Sequence, residues 1–355
     1  MYMKIKQDCL EVVSIEVSTK CNLACSHCFA LADIPNREDM NIHTALEIVK
    51  EGYDTGFRIL HITGGEPFLW KHIFDLLDYA IALEYEQILV NTNATLLTNE
   101  FCQKIKKYGE KIILTCSING DKNLHESVRG ANTYIKSSTG IKNALIYNIH
   151  VDIYTTVEKK LLPVLPVFVD GIFKAFPELK NLVLIQLRKT KSKTVSIFEK
   201  MLSPDDFIKL VRMTGFLSLR GYPVNILENP LANVVADFIN MNWLPKSPQI
   251  TRYGKIIVLS NGNITANHSS RNSYGIYKNG MLKTVVTSEK YLNDMKPESA
   301  VCPECEFFNV CRSNGMVHPS SKDHNNSQDD VPFCKKVLQL CSLNAKLTKE
   351  SESAK

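Results

Sequence analysis

Three cysteines near the start of the chain carry the clearest chemistry in the sequence. Cys21, Cys25 and Cys28 stand within eight residues and form the pattern C-x₃-C-x₂-C. Because a [4Fe–4S] cluster takes one thiolate ligand per iron, three thiolates bind three irons and leave the fourth iron open to a small molecule. A zinc site is the chemical alternative, although zinc sites usually close with four ligands. The spacing therefore predicts a metal centre on a short loop.

A glycine-rich motif, Gly64-Gly65-Glu66-Pro67, follows this loop by about 35 residues. Two adjacent glycines allow the backbone to approach a ligand closely, and a backbone carbonyl or the Glu66 carboxylate can accept a hydrogen bond from an ammonium group. A plain turn between a strand and a helix would also explain the motif. Two further polar stretches, 117–120 and 125–130, read Ser-Ile-Asn-Gly and His-Glu-Ser-Val-Arg-Gly.

Through these motifs the first half of the chain resembles the radical S-adenosylmethionine (SAM) enzymes. The three-cysteine pattern matches the cluster loop of that family, and the glycine-rich motif matches its GGEP motif. The stretch 117–120 looks like the family's S-x-D-G, with Asn119 in place of the aspartate, and the stretch 125–130 resembles its H-D-x-x-R-G.

The resemblance implies a specific cofactor. In the family, three thiolates bind three irons of a [4Fe–4S] cluster, and the amino and carboxylate groups of SAM chelate the fourth. Reductive cleavage of SAM gives methionine and a 5′-deoxyadenosyl radical that abstracts hydrogen from the substrate, while the protein positions and insulates the cofactor. A reducing partner such as flavodoxin or ferredoxin supplies the electron. The residues expected to bind this cofactor are Gly64, Gly65, Glu66, Asn93, Ser117, Arg129, His27 and Gln186.

Three of these residues keep a second interpretation. His27 stands where the family usually has an aromatic residue, and it is expected either to hydrogen-bond beside the cluster ligands or to face solvent. Arg129 is expected near the SAM carboxylate, bracing a loop, or in a surface ion pair. Gln186, like Thr155 and Thr156, ends a predicted strand, and such residues either face the pocket or cap a loop.

A second group of four cysteines lies near the other end of the sequence. Its members are Cys302, Cys305, Cys311 and Cys334. The segment resembles the SPASM domain of peptide-modifying radical SAM enzymes, which normally holds two auxiliary [4Fe–4S] clusters. Gly315 and Asn267 occupy two of that domain's cysteine positions, and no cysteine occurs between residues 117 and 301. The resemblance therefore implies one auxiliary [4Fe–4S] cluster, and structural zinc is the chemical alternative.

Strand-like apolar runs alternate with helix-like amphipathic runs over residues 10–190. The predicted strands are Val12–Ser18, Ile59–Thr63, Gln87–Asn93, Lys111–Ser117, Val151–Val157 and Asn181–Leu187. The predicted helices are Ile42–Tyr53, Ile73–Glu84, Asn99–Tyr108, Tyr134–Tyr147 and Leu165–Phe176. Six such repeats predict an α/β fold, a partial (β/α)6 barrel of the radical SAM type, followed by a small cysteine-rich C-terminal domain. The motifs fall at the carboxyl ends of strands, where β/α barrels carry their active sites.

Composition divides the chain into four predicted parts. They are the barrel at 1–220, a linking segment at 221–250, the SPASM-like domain at 251–348 and a disordered tail at 349–355. A helix at 204–219 closes the barrel, a hairpin turns at Asn261-Gly262, and a helix covers Cys334–Leu347. Because the first strand begins near residue 12, we expect no leader-peptide-binding domain before it.

The composition also limits the classes of partner and the compartment that we expect. The 355 residues include 42 basic and 37 acidic side chains, and this small, dispersed excess does not indicate nucleic-acid binding. The sequence has no apolar run long enough to span a bilayer and no signal-peptide core. Eleven cysteines without a signal peptide indicate metal ligands or catalytic thiols in a reducing compartment. We therefore expect a cytoplasmic protein without nucleic-acid or membrane partners.

The leading hypothesis is a radical SAM enzyme that abstracts hydrogen from a peptide or small-protein substrate, for crosslinking or epimerisation during peptide maturation. Epimerisation needs a thiol that returns a hydrogen atom, and Cys116 is the candidate unless it is a core cysteine that points away. The alternative is radical SAM chemistry on a small molecule or cofactor precursor. A non-enzymatic iron–sulfur or zinc protein would not explain why GGEP accompanies an open three-cysteine site.

Overall fold

The core of the structure is a single mixed sheet. The computed structural model describes residues 10–28, 37–187, 197–248, 253–268, 273–294, 305–311 and 333–342. The strands in these residues are β1 Val12–Ser18, β2 Ile59–Gly64, β3 Gln87–Thr92, β4 Ile112–Ser117, β5 His150–Val157, β6 Asn181–Gln186, β7 Val224–Leu227, β8 Lys255–Val258 and β9 Ile264–Thr265. They lie in the order β7-β6-β5-β4-β3-β2-β1-β8-β9. Neighbours are parallel except β8 and β9, which are antiparallel.

Helices connect the parallel strands. Those in the described residues are α1 Ile42–Thr55, α2 Ile73–Ala82, α3 Asn99–Ile105, α4 Lys122–Arg129, α5 Thr133–Ile146, α6 Leu165–Ala175, α7 Ile197–Lys200, α8 Pro204–Leu219, α9 Leu231–Phe238, α10 Met281–Val286, α11 Glu289–Asp294, α12 Phe308–Cys311 and α13 333–342. Local signals fix several ends. The Ser203 side chain accepts from the Asp206 N–H at the start of α8, a capping box that also has proline in the first turn.

The two faces of the sheet differ in chemistry because side chains alternate along each strand. The apolar face holds fully buried side chains that share the core cluster with helix residues, among them Ile15, Ile62, Val90, Leu114 and Ile153. The opposite face is polar: Ser14 Oγ lies 2.9 Å from His61 Nδ1, and the Thr115 hydroxyl donates to the Asn91 side chain. All seven residues of β1 are buried, as expected for a strand covered on both faces.

The predicted α/β fold with an open, partial barrel is confirmed. The six predicted strands are all present, and β7 and β9 form the two edges of a sheet that does not close. Sequence analysis missed β7, which continues the sheet in parallel with β6 from within the segment 221–250. It also missed α4, which lies directly after β4.

The predicted hairpin at Asn261-Gly262 is present as β8 and β9. β8 pairs in parallel with β1, so the hairpin extends the same sheet rather than forming a separate one. The buried Glu16 carboxylate on β1 accepts from the Ser260 N–H at 3.2 Å and from its hydroxyl at 3.0 Å. The proposed division at 220 and 251 stays a prediction, and one continuous sheet crosses both positions.

The chain after the hairpin is fastened to α1 by a buried carboxylate. Glu51 accepts hydrogen bonds from the Tyr277 hydroxyl at 2.8 Å, the Gly280 N–H at 2.9 Å and the Leu282 N–H at 2.6 Å. The last two donors lie at the amino end of α10, where a carboxylate also complements the helix dipole. Glu51 therefore joins the C-terminal region to the first half of the fold.

Two aromatic contacts dock the second cysteine group. Phe333, at the start of α13, lies 5.9 Å from Phe207 of α8, and Phe307, just before α12, lies 5.2 Å from Phe238 of α9, measured between ring centroids. Since α8 packs against α9, the segments that contain Cys311 and Cys334 lie on the same side of the molecule. Three predictions fall outside the described residues: the end of the last helix at 343–347, the tail at 349–355, and the ligand Cys302. Within the described part of the chain, every helix is too short or too polar to cross a bilayer.

Candidate active site

The cysteine loop and the Gly64-Gly65 turn lie backbone against backbone at the carboxyl ends of β1 and β2. The Gly65 N–H donates to the Ser18 carbonyl at 2.7 Å, and the Glu66 N–H donates to the Lys20 carbonyl at 2.8 Å. A Cβ on Gly65 would lie 2.2 Å from the Lys20 oxygen, and one on Gly64, whose φ is +153°, would lie 2.3 Å from the Ser18 oxygen. Both positions require glycine because the cysteine loop occupies the space of a side chain.

The fully buried Glu66 joins this turn to the end of β3. Its Oε1 accepts from the Thr92 hydroxyl at 2.8 Å and the Phe68 N–H at 3.3 Å, and its Oε2 accepts from the Asn93 N–H at 2.8 Å. Burial raises the pKa of Glu66 to about 7, although the three donors favour the carboxylate. The expected role of Glu66 in cofactor binding stays a prediction, and what the geometry shows is a bridge between two strand ends.

A second bridge links the cysteine loop to β3 through three side chains. Asn93 Nδ2 donates to Asn22 Oδ1 at 2.8 Å, and Asn22 Nδ2 donates to the Thr95 hydroxyl at 2.9 Å. The Thr95 hydroxyl in turn donates to Asn93 Oδ1 at 2.6 Å, which closes the ring of hydrogen bonds. Asn93 Nδ2 also lies 4.0 Å from Cys21 Sγ. Asn93 thus stands beside the first cysteine, while Asn22 and Thr95 were missed by sequence analysis.

Helix α4 closes the other side of the cysteine loop. The Ser26 N–H donates to the Val128 carbonyl at 2.9 Å. Arg129, the last residue of α4, donates from Nε to Asn119 Oδ1 at 2.6 Å, and its Nη1 lies 3.9 Å from Cys25 Sγ. The structure therefore places Arg129 at the cysteines and gives it an amide partner rather than a surface ion pair.

Two histidines accompany Arg129. Burial, together with the charges of Arg129 and Lys200, lowers the pKa of His27 to about 3. His27 is half-buried rather than fully solvent-facing. His125 is fully buried, its Nδ1 accepts from the Asn119 N–H at 3.2 Å, and burial lowers its pKa to about 3. Both rings are therefore neutral at pH 7 and add no positive charge to that of Arg129.

The three cysteines form a donor set that fits an iron–sulfur cluster. All three are half-buried, and burial raises the pKa of the Cys21 and Cys25 thiols. The Cys28 N–H donates to the Cys25 carbonyl at 3.1 Å, which places these two cysteines on one tight turn. Burial thus disfavours the thiolate form of Cys21 and Cys25. Bound iron would offset this cost, because a thiol that ligates a metal is deprotonated. No three His, Cys, Asp or Glu side chains of the described residues converge on a single-ion site, a geometry that a cluster does not need since each thiolate binds its own iron.

The remaining predicted residues are spread along the strand ends. Ser117 ends β4 and is half-buried. Gln186 ends β6, is 3% exposed, and accepts from Asn229 Nδ2 at 2.5 Å, so it holds the segment after β7. Thr155 donates to the Ile118 carbonyl at 2.6 Å, which is the loop-capping role.

Cys116 lies on the apolar face of β4, in phase with Leu114, and is fully buried in the core cluster. Burial raises the pKa of its thiol well above the ordinary value. The structure therefore matches the alternative of a core cysteine, and the polar face of the sheet carries its neighbours Thr115 and Ser117 instead.

Part of the sequence is similar to known proteins. Residues 15–160 match the family model described as the radical SAM superfamily. The subtilosin biosynthesis protein AlbA of Bacillus subtilis is 28% identical over 149 residues, which are 41% of this chain and 33% of AlbA. An AdoMet-dependent heme synthase of Oleidesulfovibrio alaskensis is 30% identical over 168 residues, which are 46% of this chain and 41% of the synthase. The matched stretch thus spans less than half the length of either relative.

Solved structures extend the likeness beyond this domain. The complex of anSMEcpe with AdoMet and the Cp18Cys peptide superposes with a TM-score of 0.71 at 18% identity, covering 98% of this chain and 99% of that chain. Streptococcus suis SuiB bound to its precursor peptide SuiA superposes with a TM-score of 0.67 at 19% identity, covering 87% of this chain and 73% of that chain. At these identities the likeness shows a shared fold. Residues 15–160 therefore carry a radical SAM domain, and the rest of the chain shares the fold of these solved structures.

Proposed function

We propose that this radical SAM enzyme modifies a peptide substrate, and that the modification is an oxidative crosslink. The observation that carries the proposal is the extent of the structural likeness. It covers 98% of this chain and 99% of the chain of a neighbour that was solved with a peptide. The 28% identity to AlbA, a bacteriocin biosynthesis protein, supports the same substrate class.

The residues of this chain would act mainly by binding and positioning. Cys21, Cys25 and Cys28 would hold three irons of a [4Fe–4S] cluster, and bound SAM would supply a carbon radical that abstracts hydrogen. The Gly64-Gly65 turn, with its close backbone approach, would receive the SAM amino group, and Arg129 its carboxylate. The Glu66 and Asn93 bridges would keep these groups fixed relative to the cysteine loop.

Crosslinking is favoured over epimerisation by the position of Cys116. A thiol that returns a hydrogen atom must reach the substrate radical, but this side chain is fully buried in the core on the apolar face of β4. A crosslinking reaction removes two hydrogens from the peptide and needs no such donor. The deoxyadenosyl radical would take one as a hydrogen atom, and the other would leave as a proton released to solvent and an electron accepted by the proposed auxiliary cluster. We therefore assign Cys116 a packing role.

The second cysteine group would hold one auxiliary [4Fe–4S] cluster, for which structural zinc is the alternative. The aromatic contacts of Phe307 and Phe333 support the assignment because they fix Cys311 and Cys334 on the same side of the molecule. Flavodoxin or ferredoxin would supply the electron for SAM cleavage.

The second candidate function is the modification of a small molecule. The 30% identity to an AdoMet-dependent heme synthase is the observation that favours it. That match involves 46% of this chain, whereas the likeness to the peptide complex covers 98%. A porphyrin substrate therefore serves as the competing case in the test.

The test is anaerobic incubation of the reconstituted enzyme with SAM, dithionite and a panel of synthetic candidate peptides, followed by mass spectrometry. A peptide product lighter by two hydrogens supports crosslinking. A peptide that keeps its mass in ordinary water but takes up one deuterium from heavy water would indicate epimerisation and overturn the crosslinking proposal. Turnover of an iron porphyrin with no change in any peptide would establish the second candidate. The triple variant Cys21→Ala, Cys25→Ala, Cys28→Ala is the inactive control.

A further inference from the structure

The surroundings of Arg129 show an unusual charge balance. Its guanidinium is half-buried at the end of α4, with Asn119 as the partner of Nε and Cys25 Sγ 3.9 Å from Nη1. Asn119 is itself 3% exposed, and its Nδ2 donates to the Thr156 carbonyl at 3.3 Å. The amide is thus fixed with its oxygen toward the guanidinium.

Among the described residues, no carboxylate forms an ion pair with Arg129. The anionic groups that act on it are the three cysteine sulfurs and, more weakly, the buried Glu66. Asn119 occupies the position of the aspartate in the S-x-D-G pattern, so a neutral amide stands where a carboxylate would compensate the charge. A half-buried cation without a carboxylate in ion-pair contact is costly, and the cost is recovered only when further negative charge is brought to it.

A thiolate-ligated cluster at the three cysteines would bring that negative charge. Net charge and hydrogen bonds to the sulfurs are two of the factors that set the reduction potential of an iron–sulfur cluster. Arg129 supplies both at Cys25, and a nearby uncompensated cation favours the reduced form because reduction adds one negative charge. A carboxylate at position 119 would cancel this effect at close range.

We propose that Arg129 is the counter-ion of the cluster before SAM binds, and that Asn119 is a positioning residue whose neutral amide leaves the arginine charge uncompensated, so that the SAM-free cluster is reduced at a higher potential. The proposal concerns the protein environment of the cluster. It does not depend on whether the substrate is a peptide or a small molecule.

The experiment measures the midpoint potential of the reconstituted cluster, without SAM or substrate, by redox titration monitored by electron paramagnetic resonance. Asn119→Asp adds a carboxylate beside the guanidinium, Arg129→Gln removes the cation, and Arg129→Lys keeps it. Lys122→Gln, at the exposed start of the same helix, removes an equal charge farther from the sulfurs and is the matched control.

We expect Asn119→Asp and Arg129→Gln each to lower the ratio of reduced to oxidised cluster at a fixed potential at least tenfold, which is about 59 mV for one electron. Arg129→Lys and Lys122→Gln should stay within threefold of wild type. Iron content, measured in parallel, identifies a variant that fails to assemble. If Arg129→Gln does not retain iron, Asn119→Asp decides the matter, and an unchanged or raised potential in that variant would overturn the proposal. Equal shifts in Lys122→Gln would overturn it as well.

Discussion

The contact between the Gly65 turn and the cysteine loop leads to a sharp prediction. Substituting Gly65 by alanine adds a single methyl group, and the added Cβ would lie 2.2 Å from the Lys20 oxygen and 2.5 Å from its carbonyl carbon. Both are backbone atoms, so no side chain can rotate out of the way. The two loops would have to separate by about 1 Å to reach ordinary contact.

The expected loss of stability follows from the hydrogen bonds that this separation would break. Two backbone hydrogen bonds join the loops, from Gly65 to Ser18 at 2.7 Å and from Glu66 to Lys20 at 2.8 Å. Each contributes about 1 kcal/mol, and a buried donor left without a partner costs about 1–3 kcal/mol more. We therefore expect Gly65→Ala to lower the free energy of unfolding by about 2–5 kcal/mol. Because the displaced loop carries Cys21, the variant should also assemble less cluster.

The assay combines urea unfolding of the iron-free protein with iron analysis after anaerobic reconstitution. Gly171→Ala is the matched control, since Gly171 lies in the exposed part of α6 and an added Cβ there meets nothing within 4 Å. Alanine is a better helix former than glycine, so the control should gain about 0.5–1 kcal/mol of stability.

If Gly65→Ala unfolds at the same urea concentration as wild type and binds the same amount of iron, an added Cβ at position 65 does not displace the cysteine loop. A loss of stability in Gly171→Ala as large as that in Gly65→Ala would also contradict the predicted displacement. In that case glycine would matter for a reason other than the approach of the two backbones.

Three further predictions concern the metal sites, the C-terminal attachment and pH. Reconstituted protein should hold about eight irons, because we propose that each of the two cysteine groups binds one [4Fe–4S] cluster, and Cys305→Ala should lose about half while still cleaving SAM without substrate. Glu51→Gln should lower the free energy of unfolding by about 2 kcal/mol, because an amide cannot accept from all three donors, as measured by urea unfolding. The raised pKa of Glu66, about 7 against an ordinary 4.5, favours the protonated form in the fold. Its stabilising contribution is full below pH 4.5 and is lost as the pH rises to 7, so wild type should lose about 3 kcal/mol relative to Glu66→Gln over that interval, as measured by urea unfolding at each pH.

Each of these predictions has its own check. About four irons with one zinc would make the second site structural zinc, and a folded Cys305→Ala variant that cannot cleave SAM would place the second site on the electron route. Glu47→Gln, an exposed change on the same helix as Glu51, should alter stability by less than about 0.5 kcal/mol. For Glu66, a wild-type minus variant difference that stays constant from pH 4.5 to 7 would contradict the assigned pKa.

The sequence was sufficient to predict most of the barrel because the signals are local. Buried parallel strands are continuous apolar runs, and β1 to β6 were predicted on that basis. β7 was missed because it has only four residues, Val224–Leu227, in a segment punctuated by prolines. The parallel pairing of β8 with β1 joins residues about 240 positions apart, and no local pattern carries that information.

The candidate site was predicted in part for a similar reason. Cys21 and Asn93 meet because they follow the ends of β1 and β3, as the motif positions suggested. Arg129 reaches the cysteines from the end of α4, a helix that sequence analysis missed. The roles of Asn22 and Thr95 depend on side chains that meet across two loops, so spacing alone could not reveal them. The position of Cys116 could have been read from the sequence, since strand alternation sets it in phase with Leu114 rather than with Thr115.

The pairing of β1 with β8 also governs the order in which the molecule can be built. As the ribosome makes the chain, β1 appears first but its second neighbour appears only after residue 255. Until then β1, which carries the cysteine loop at its end, is the open edge of a growing sheet, with unpaired N–H and C=O groups that can template aggregation. Contacts of such long sequence separation also form slowly. Expression yield should therefore change with the rate of translation up to residue 258 and with the supply of chaperones. A fragment that ends before β8 should aggregate, even though it contains every cysteine ligand proposed for the first cluster.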